Sequence, residues 1–336
     1  MVHVALDAMG GDNSPKEIIE GAIIALNESD TIKLTLVGKE DVIKTELEGK
    51  SYPADRLEIC DASEVITTEE APVMAIRRKK DSSIVKGMHL VKDKVCDAFV
   101  SAGSSGAIIA GGQLIVGRLK GVERPPLAPF IPTKAPKGVS LLIDCGANVD
   151  ARSSHLLQFA KMGSIYYKNV MGVSNPRVAI VNIGVEEEKG NMLVKETYPL
   201  LKNCPDINFI GSIEAREIPN GGADVIVCEA FVGNVILKMY EGTGSMILHT
   251  IKDTLMSSLR GKIGGLIIKP CLKKCIKEFD ASEYGGAPLL GLNGLVVKAH
   301  GNATRKEIST AIKQCIVFYE QKINQQIADG IIIKDE

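Results

Sequence analysis

Val4-Ala5-Leu6-Asp7-Ala8-Met9-Gly10-Gly11-Asp12-Asn13-Ser14-Pro15-Lys16-Glu17 is the stretch whose reading decides the fold. Val4 to Leu6 are apolar and too few for a helix, so they read as a buried strand. Gly10-Gly11 permits backbone angles closed to other residues, and the chain can turn there with its amides exposed. Ser14 reads as a helix N-cap, Pro15 as the first helical residue and Glu17 as the far half of a capping box. Ile18, Ile19, Ala22, Ile23, Ala25 and Leu26 then recur at helical spacing. A strand, a glycine loop and a helix N-terminus make a unit that holds anions such as phosphate on free N–H groups. Asp7 and Asp12 flank the loop, which points to a site that also places donors, water or a cation. The spacing is neither a dinucleotide loop nor a P-loop, and a tight turn with capping carboxylates is the plainer reading.

Outward from that unit, strand-like runs alternate with helical patterns, the mark of a parallel sheet covered by helices. Lys33 to Val37 and Leu57 to Cys60 are the next strands. Ala71-Pro72 opens a helix that ends in Arg77-Arg78-Lys79-Lys80. Cations there complement the helix dipole; a docking patch for an acidic carrier protein is the alternative. Ala98 to Ala107 repeats the opening logic, with Ser101, Gly103, Ser104 and Ser105 at the turn and an apolar helix expected over Ala107 to Val116. Pro125, Pro126, Pro129, Pro132 and Pro136 mark a non-helical crossing.

Further strands end at Asp144-Cys145-Gly146-Ala147-Asn148, at Asn182-Ile183-Gly184 before Glu187, Lys189 and Asn191, at Ile213-Glu214, and at Cys228-Glu229 before Gly233-Asn234. One polar strand end is ordinary. A series of them is a polar-lined cleft at the carboxyl edge of a sheet, where open α/β folds bind ligands. That series is the main argument for an enzyme.

From Val235 a long helical pattern runs toward Leu259. The following stretch to Lys277 carries Arg260, Lys262, Lys269, Lys273, Lys274 and Lys277 and no acid, with Leu259 just before it, Ile263, Leu266, Ile267 and Ile268 among the cations and a break at Gly264-Gly265. Such a segment suits a membrane interface, where each cation near an anionic surface contributes about 1 kcal/mol. An amphipathic hairpin closing a dimer is the equal alternative. Sheet texture returns at Leu295 to Gly301, and a helix with Ala311, Ile312, Cys315, Ile316 and Tyr319 at core spacing finishes the chain.

Composition sets bounds. The chain has 336 residues, 45% of them hydrophobic and 24% charged, the values of a soluble globular protein. With no Trp and few aromatics, Ile, Leu, Val and Ala must build the core. A net charge of -1 gives no pull toward nucleic acid. The eight cysteines sit mostly in apolar runs, and Cys271 and Cys275 have no nearby zinc-spaced pair, so a reduced, cytoplasmic chain is expected. No signal peptide opens the chain, and no run of about 18 apolar residues would span a membrane.

These residues resemble the bacterial phosphate acyltransferases, the acyl-acyl-carrier-protein:phosphate transacylases. The resemblance is carried by Asp7 to Asp12, Ser101-Ala102-Gly103 with Gly106-Ala107, Asp144 with Gly146-Ala147-Asn148, and Asn182 with Gly184, Glu187 and Lys189-Gly190-Asn191. It continues through Phe231 with Gly233-Asn234, Tyr284-Gly285-Gly286-Ala287 and Lys298-Ala299-His300-Gly301. Ser104-Ser105 stand where that family often has Asn-Thr, and Glu229-Ala230 where it usually has Asp-Gly; Ala230 argues against a positive φ there.

The resemblance implies one catalytic α/β domain over 1–336, a three-layer α/β/α Rossmann-like sandwich with a mostly parallel sheet akin to phosphotransacetylases. Residues 235–280 would be a helical excursion within it. It implies a cytoplasmic homodimer that moves a long-chain acyl group from acyl carrier protein to inorganic phosphate for phospholipid synthesis. No cofactor and no metal are implied. Peripheral contact with the membrane and with the glycerol-phosphate acyltransferase that consumes the product would follow.

Phosphate is itself a nucleophile, which suits the lack of a Ser-His-Asp or Cys-His arrangement; the protein must position it and stabilise an oxyanion. Phosphate contacts fall to the Gly10 and Gly11 amides, Ser104, Ser105 and Lys189, within a substrate-binding set that also takes in Asp7, Asp12, Ser101, Gly103, Asp144, Glu187 and Asn191. Asn148, Asn182 and Asn234 are candidate amide donors. His300 could protonate the leaving sulfur, against the plainer reading of a structural histidine. A short-chain acyl-CoA phosphotransacetylase and a non-catalytic membrane scaffold are the rival readings.

Overall fold

The computed structural model describes residues 1–278 and 284–331, with the side chains of 274–278 left out; Lys274, Cys275 and Lys277 therefore lie outside the described side chains. Apolar runs between turn residues form two sheets rather than one. The first contains β1 (Val2–Asp7), β2 (Ile32–Gly38), β3 (Leu57–Asp61) and β4 (Ala98–Ser101). The second contains β5 (Phe130–Pro132), β6 (Val139–Ile143), β7 (Arg177–Val181), β8 (Asn208–Ile213) and β9 (Val225–Val227), after which β10 (Ala287–Leu289) and β11 (Leu295–Lys298) return to the first. The strand orders are β10-β11-β4-β1-β2-β3 and β5-β6-β9-β7-β8. Within each, one edge strand, β10 or β5, runs antiparallel and the remainder are parallel.

The helices are α1 (Lys16–Glu28), α2 (Glu40–Leu47), α3 (Pro72–Arg78), α4 (Ser83–Lys92), α5 (Ser105–Gly111), α6 (Ser153–Met171), α7 (Met192–Lys202), α8 (Ala230–Met256), α9 (Leu259–Glu278), α10 (Arg305–Glu320) and α11 (Ile323–Ile331). Alternation along β1 makes the layers, because neighbouring strand residues face opposite sides. Val2, Val4 and Leu6 join the core under α1 and α10, while Ala5 joins the cluster beneath α4 and α5. In the second sheet Leu141 and Ile143 face α6, and Leu142 faces the start of α8. The first of these cores is continuous across both sheets through α6, α10 and α11, giving a mostly parallel α/β/α sandwich.

Several sequence expectations are corrected. Ser14 caps nothing: its hydroxyl donates to the carbonyls of Met9 (3.1 Å) and Gly11 (2.8 Å), and α1 starts without a side-chain cap. Glu17 makes no capping box, because Arg305 donates its backbone N–H (2.7 Å) and its guanidinium to that carboxylate. The helix expected over Ala107 to Val116 is α5 followed by a wider π-type turn at Gly112–Val116, and Leu114 there is exposed. The long helix begins at Ala230, earlier than Val235, since Glu229 accepts from the N–H groups of Phe231 (2.6 Å) and Val232 (2.9 Å). Gly264-Gly265 does not break α9. α11 follows the helix expected to end the chain.

Candidate active site

The chain leaves β1 toward β2 and β3 on one side and returns with β4 on the other. Such a switch point opens a crevice beyond the carboxyl ends of the strands, and the two small-residue loops lie there. Asp7 braces them: buried, it accepts from Ser101 Oγ (2.6 Å) and from the Met9 N–H (3.1 Å). Ser101 Oγ in turn accepts from the Gly103 N–H (3.0 Å). Burial raises the Asp7 carboxyl above the usual range, and the donated hydrogen bonds, Ser101's first, pull part of that back.

The glycines are required by close approach. A Cβ on Gly10 would stand 2.4 Å from Asp7 Oδ2 and 2.7 Å from the Gly103 nitrogen. Gly11 has φ +100° and meets the Gly301 carbonyl, to which the Asp12 N–H donates (2.7 Å). The loops after β1, β4 and β11 are thus one packed unit.

Over this unit lies a cleft of about 590 Å³. Its polar lining includes Gly10, Gly11, Asp12, Gly103, Ser104, Ser105, Lys298 and His300, with Asn234, Lys238 and Glu241 from α8. Its apolar wall includes Ile66, Leu127, Phe130, Ile131 and Leu237. Ser104 caps α5 by accepting from the Ala107 N–H (3.4 Å). The Asn234 amide has no hydrogen-bond partner among the described residues, so it is available to a ligand.

Lys298, at the end of Leu295-Val296-Val297, was no part of the site drawn from sequence, and neither was Glu241. The Lys298 ammonium donates to the Ala299 carbonyl and has no carboxylate partner among the described residues. Burial, with Lys238 nearby, pushes its pKa down to about 8, against the pull of Glu241 and Asp12. An ammonium carries three donors, so this one holds donors in reserve. A lone cation closing an apolar strand run was the available signal. Glu241, one helical turn from Leu237, faces His300 (3.6 Å) and Lys238 (2.9 Å). His300 first and Lys238 second hold the Glu241 carboxyl down to about 2, and Glu241 raises His300 above its ordinary value. The His300 Nδ1 also meets Asn302 Oδ1 (2.6 Å).

The remaining sequence candidates lie at the second sheet's carboxyl edge. Asp144 is fully buried and accepts from the N–H groups of Leu127 (2.9 Å), Ala147 (3.1 Å) and Asn148 (2.8 Å) and from Asn148 Nδ2 (2.7 Å). Burial pushes its carboxyl up to about 6. The Asn148 amide is committed to Asp144 and the Pro125 carbonyl (2.9 Å). Asn182 donates to the Lys189 carbonyl and to Ser212 Oγ, both at 3.1 Å, which shapes its own loop. Lys189 pairs with Glu186 (2.9 Å) and Glu187 with Lys202 (2.8 Å), all exposed. None of these lines the first cleft. Asn191 caps α7 by accepting from the Val194 N–H (2.9 Å) and lines a second cleft of about 1000 Å³. That cleft is walled by Arg118, Arg124, Arg152, His155, Glu229 and Phe231 among others. Among the described residues no cluster of His, Cys, Asp and Glu converges as metal ligands would.

Leu259, Ile263, Leu266, Ile267 and Ile268 are exposed on α9, and Met239, Met246 and Met256 on α8. No described helix is long and apolar enough to cross a membrane.

Comparison with known proteins agrees with this architecture. A family model described as fatty acid synthesis protein matches residues 2–326. A phosphate acyltransferase from Clostridium tetani is 51% identical over 331 residues, covering 98% of each chain. One from Clostridium botulinum is 53% identical over 327 residues, covering 97% of this chain and 98% of the relative. Among solved structures, a phosphotransacetylase from Streptococcus pyogenes superposes with a TM-score of 0.63 at 15% identity, covering 95% of this chain and 94% of that one. A branched-chain phosphotransacylase from Enterococcus faecalis V583 gives 0.55 at 13% identity, covering 94% and 98%.

Proposed function

Since the chain belongs to the fatty acid synthesis protein family, we propose that it is an acyltransferase that moves a long-chain fatty acyl group from acyl carrier protein to inorganic phosphate, yielding acyl phosphate. The observation that carries this reading is the first cleft: a half-buried Lys298 ammonium with no carboxylate partner among the described residues, in one cleft with the Gly11 amide and an apolar wall. Phosphate suits the polar lining and an acyl chain the apolar one.

In this reading Lys298, the Gly11 N–H, Ser104 and Ser105 hold phosphate, and Asp7 and Ser101 position the loops that do so. A phosphate oxygen attacks the thioester carbonyl, a C–O bond forms, and the Asn234 amide meets the oxyanion. The carbonyl re-forms as the C–S bond breaks, and the thiolate takes a proton from His300, whose protonated form Glu241 favours. Lys189 is a further cation that the second edge can contribute. Its exposed bridge to Glu186 is screened by water and readily exchanged for phosphate. Asp144 and Asn148 act as braces, and Asn182 holds the loop that carries Lys189.

Residues 1–336 act here as one catalytic unit. The exposed apolar residues of α8 and α9 serve contact with a second copy and with the membrane surface, where the downstream acyltransferase takes the product. Liposome flotation tests the membrane part: Leu266→Glu with Ile267→Glu should lower it, and undiminished flotation would remove that contact.

Wild-type protein given palmitoyl-acyl carrier protein and phosphate, without added metal, should release free carrier thiol and form acyl phosphate. Turnover of acetyl-CoA instead would assign the chain to short-chain chemistry, and no turnover of either would leave a scaffold.

A further inference from the structure

The two clefts share three walls. Arg118, Glu123 and Arg124 line the second and Leu127 and Pro129 the first; after β6, Cys145 lines the first and Val149 to Arg152 the second; on α8, Phe231 lines the second and Asn234 the first. The step from one cleft to the other is about 5 Å along the helix and at most about 14 Å along the loops.

Charge in the second cleft is unevenly committed. Arg118 donates to the Glu123 carbonyl, but the guanidinium groups of Arg124 and Arg152 have no carboxylate partner among the described residues. Two of the cleft's acids are already engaged. Glu123 takes His155 Nε2 (3.1 Å) and Ser154 Oγ (3.1 Å), and Glu229 accepts from the first N–H groups of α8. His155 Nδ1 accepts from the Arg152 N–H (3.1 Å), which leaves its proton on Nε2 toward Glu123. Asp150 is the third acid, with no partner among the described residues. Phe231 is 64% exposed and Val149 58%, which gives the cleft apolar surface as well.

We propose that this cleft receives the prosthetic arm of the carrier protein: Arg124 and Arg152 hold its phosphodiester, and Phe231 and Val149 cover its pantetheine stem. The thioester at the end of the arm then enters the adjoining cleft. Guanidinium forks match phosphate oxygens in pairs. The proposal rests on the acyl-transfer reading for the identity of its ligand.

Calorimetric titration of the full chain with 4′-phosphopantetheine, with pantetheine and with inorganic phosphate tests it without turnover. Wild type should bind phosphopantetheine about tenfold or more tightly than pantetheine, as expected of a charge-assisted contact. Arg124→Gln and Arg152→Gln should each remove most of that gap and leave pantetheine affinity as it was. Asp150→Asn should tighten phosphopantetheine. Equal affinity for the two arms in wild type, no binding of either, or a gap that survives both arginine variants would overturn the proposal. So would loss of inorganic phosphate binding in the arginine variants, which would make this the nucleophile's site. A wild type that shows the expected gap yet forms no acyl phosphate would instead remove the transfer reading and leave the arm site standing.

Discussion

Each sheet places a buried carboxylate at the end of an early strand, Asp7 as the last residue of β1 and Asp144 just after β6, and each uses it to gather the loop that follows. Beyond that point the two edges differ. At the first, the braced loops leave the Gly11 N–H and the Asn234 amide without a partner among the described residues, and the Lys298 ammonium with only the Ala299 carbonyl, around a cleft. At the second, Asn148 and Asn182 spend their amides on the protein, and Lys189 and Glu187 hold exposed ion pairs. Polar strand ends are common to both. What separates a ligand site from a braced turn is whether donors remain available to a ligand after folding.

The widest gap between the edges is expected at Lys298. Lys298→Met should raise the KM for phosphate by about 100-fold, within the range expected for losing a hydrogen bond to a charged group. Lys298→Arg should recover part of it. At the second edge, Lys189→Ala should raise the same KM by about tenfold, since that lysine must first leave Glu186. An equal or larger effect there would invert the comparison, and unchanged kinetics would take Lys189 out of the site.

Two pH profiles sharpen it further. Lys298 loses its charge above about pH 8, so the KM for phosphate should climb beyond that pH, and Lys298→Arg should flatten the climb. His300 has its pKa raised chiefly by Glu241. Glu241→Gln lowers it, and the alkaline fall in kcat should move to lower pH; a kcat profile left in place would mean that His300 gives no proton. The smallest effect concerns stability. The Asp144 carboxyl is raised from 3.8 to about 6 in the folded chain, so the native state binds this proton more tightly than the unfolded one. Stability should therefore decline as pH rises across that interval, and Asp144→Asn should reduce the decline in chemical denaturation.

Much of this was legible in the sequence. Short apolar runs closed by Gly, Ser, Asn and Asp gave the parallel strands and their polar ends in order, because period and turn chemistry are local. The division into two sheets was not visible, since it depends on β9 slipping between β6 and β7 and on β11 returning to β4. The capping box at Ser14 failed for a similar reason: Arg305 reaches Glu17 from the far end of the chain. Asn148 and Asn182 read as free donors because nothing in the neighbouring residues shows that Asp144, Pro125 and Ser212 engage them. Lys298 stood in a quoted motif, but its burial beside α8 is a property of packing.

The most direct test is a crystal structure of the full chain with inorganic phosphate bound. The account predicts phosphate between the Gly11 amide and the Lys298 ammonium, with Ser104 or Ser105 in contact and the Asp7 brace unchanged. Phosphate held at the second edge, on Lys189 or on Arg124 and Arg152, with Lys298 still turned to the Ala299 carbonyl, would contradict it.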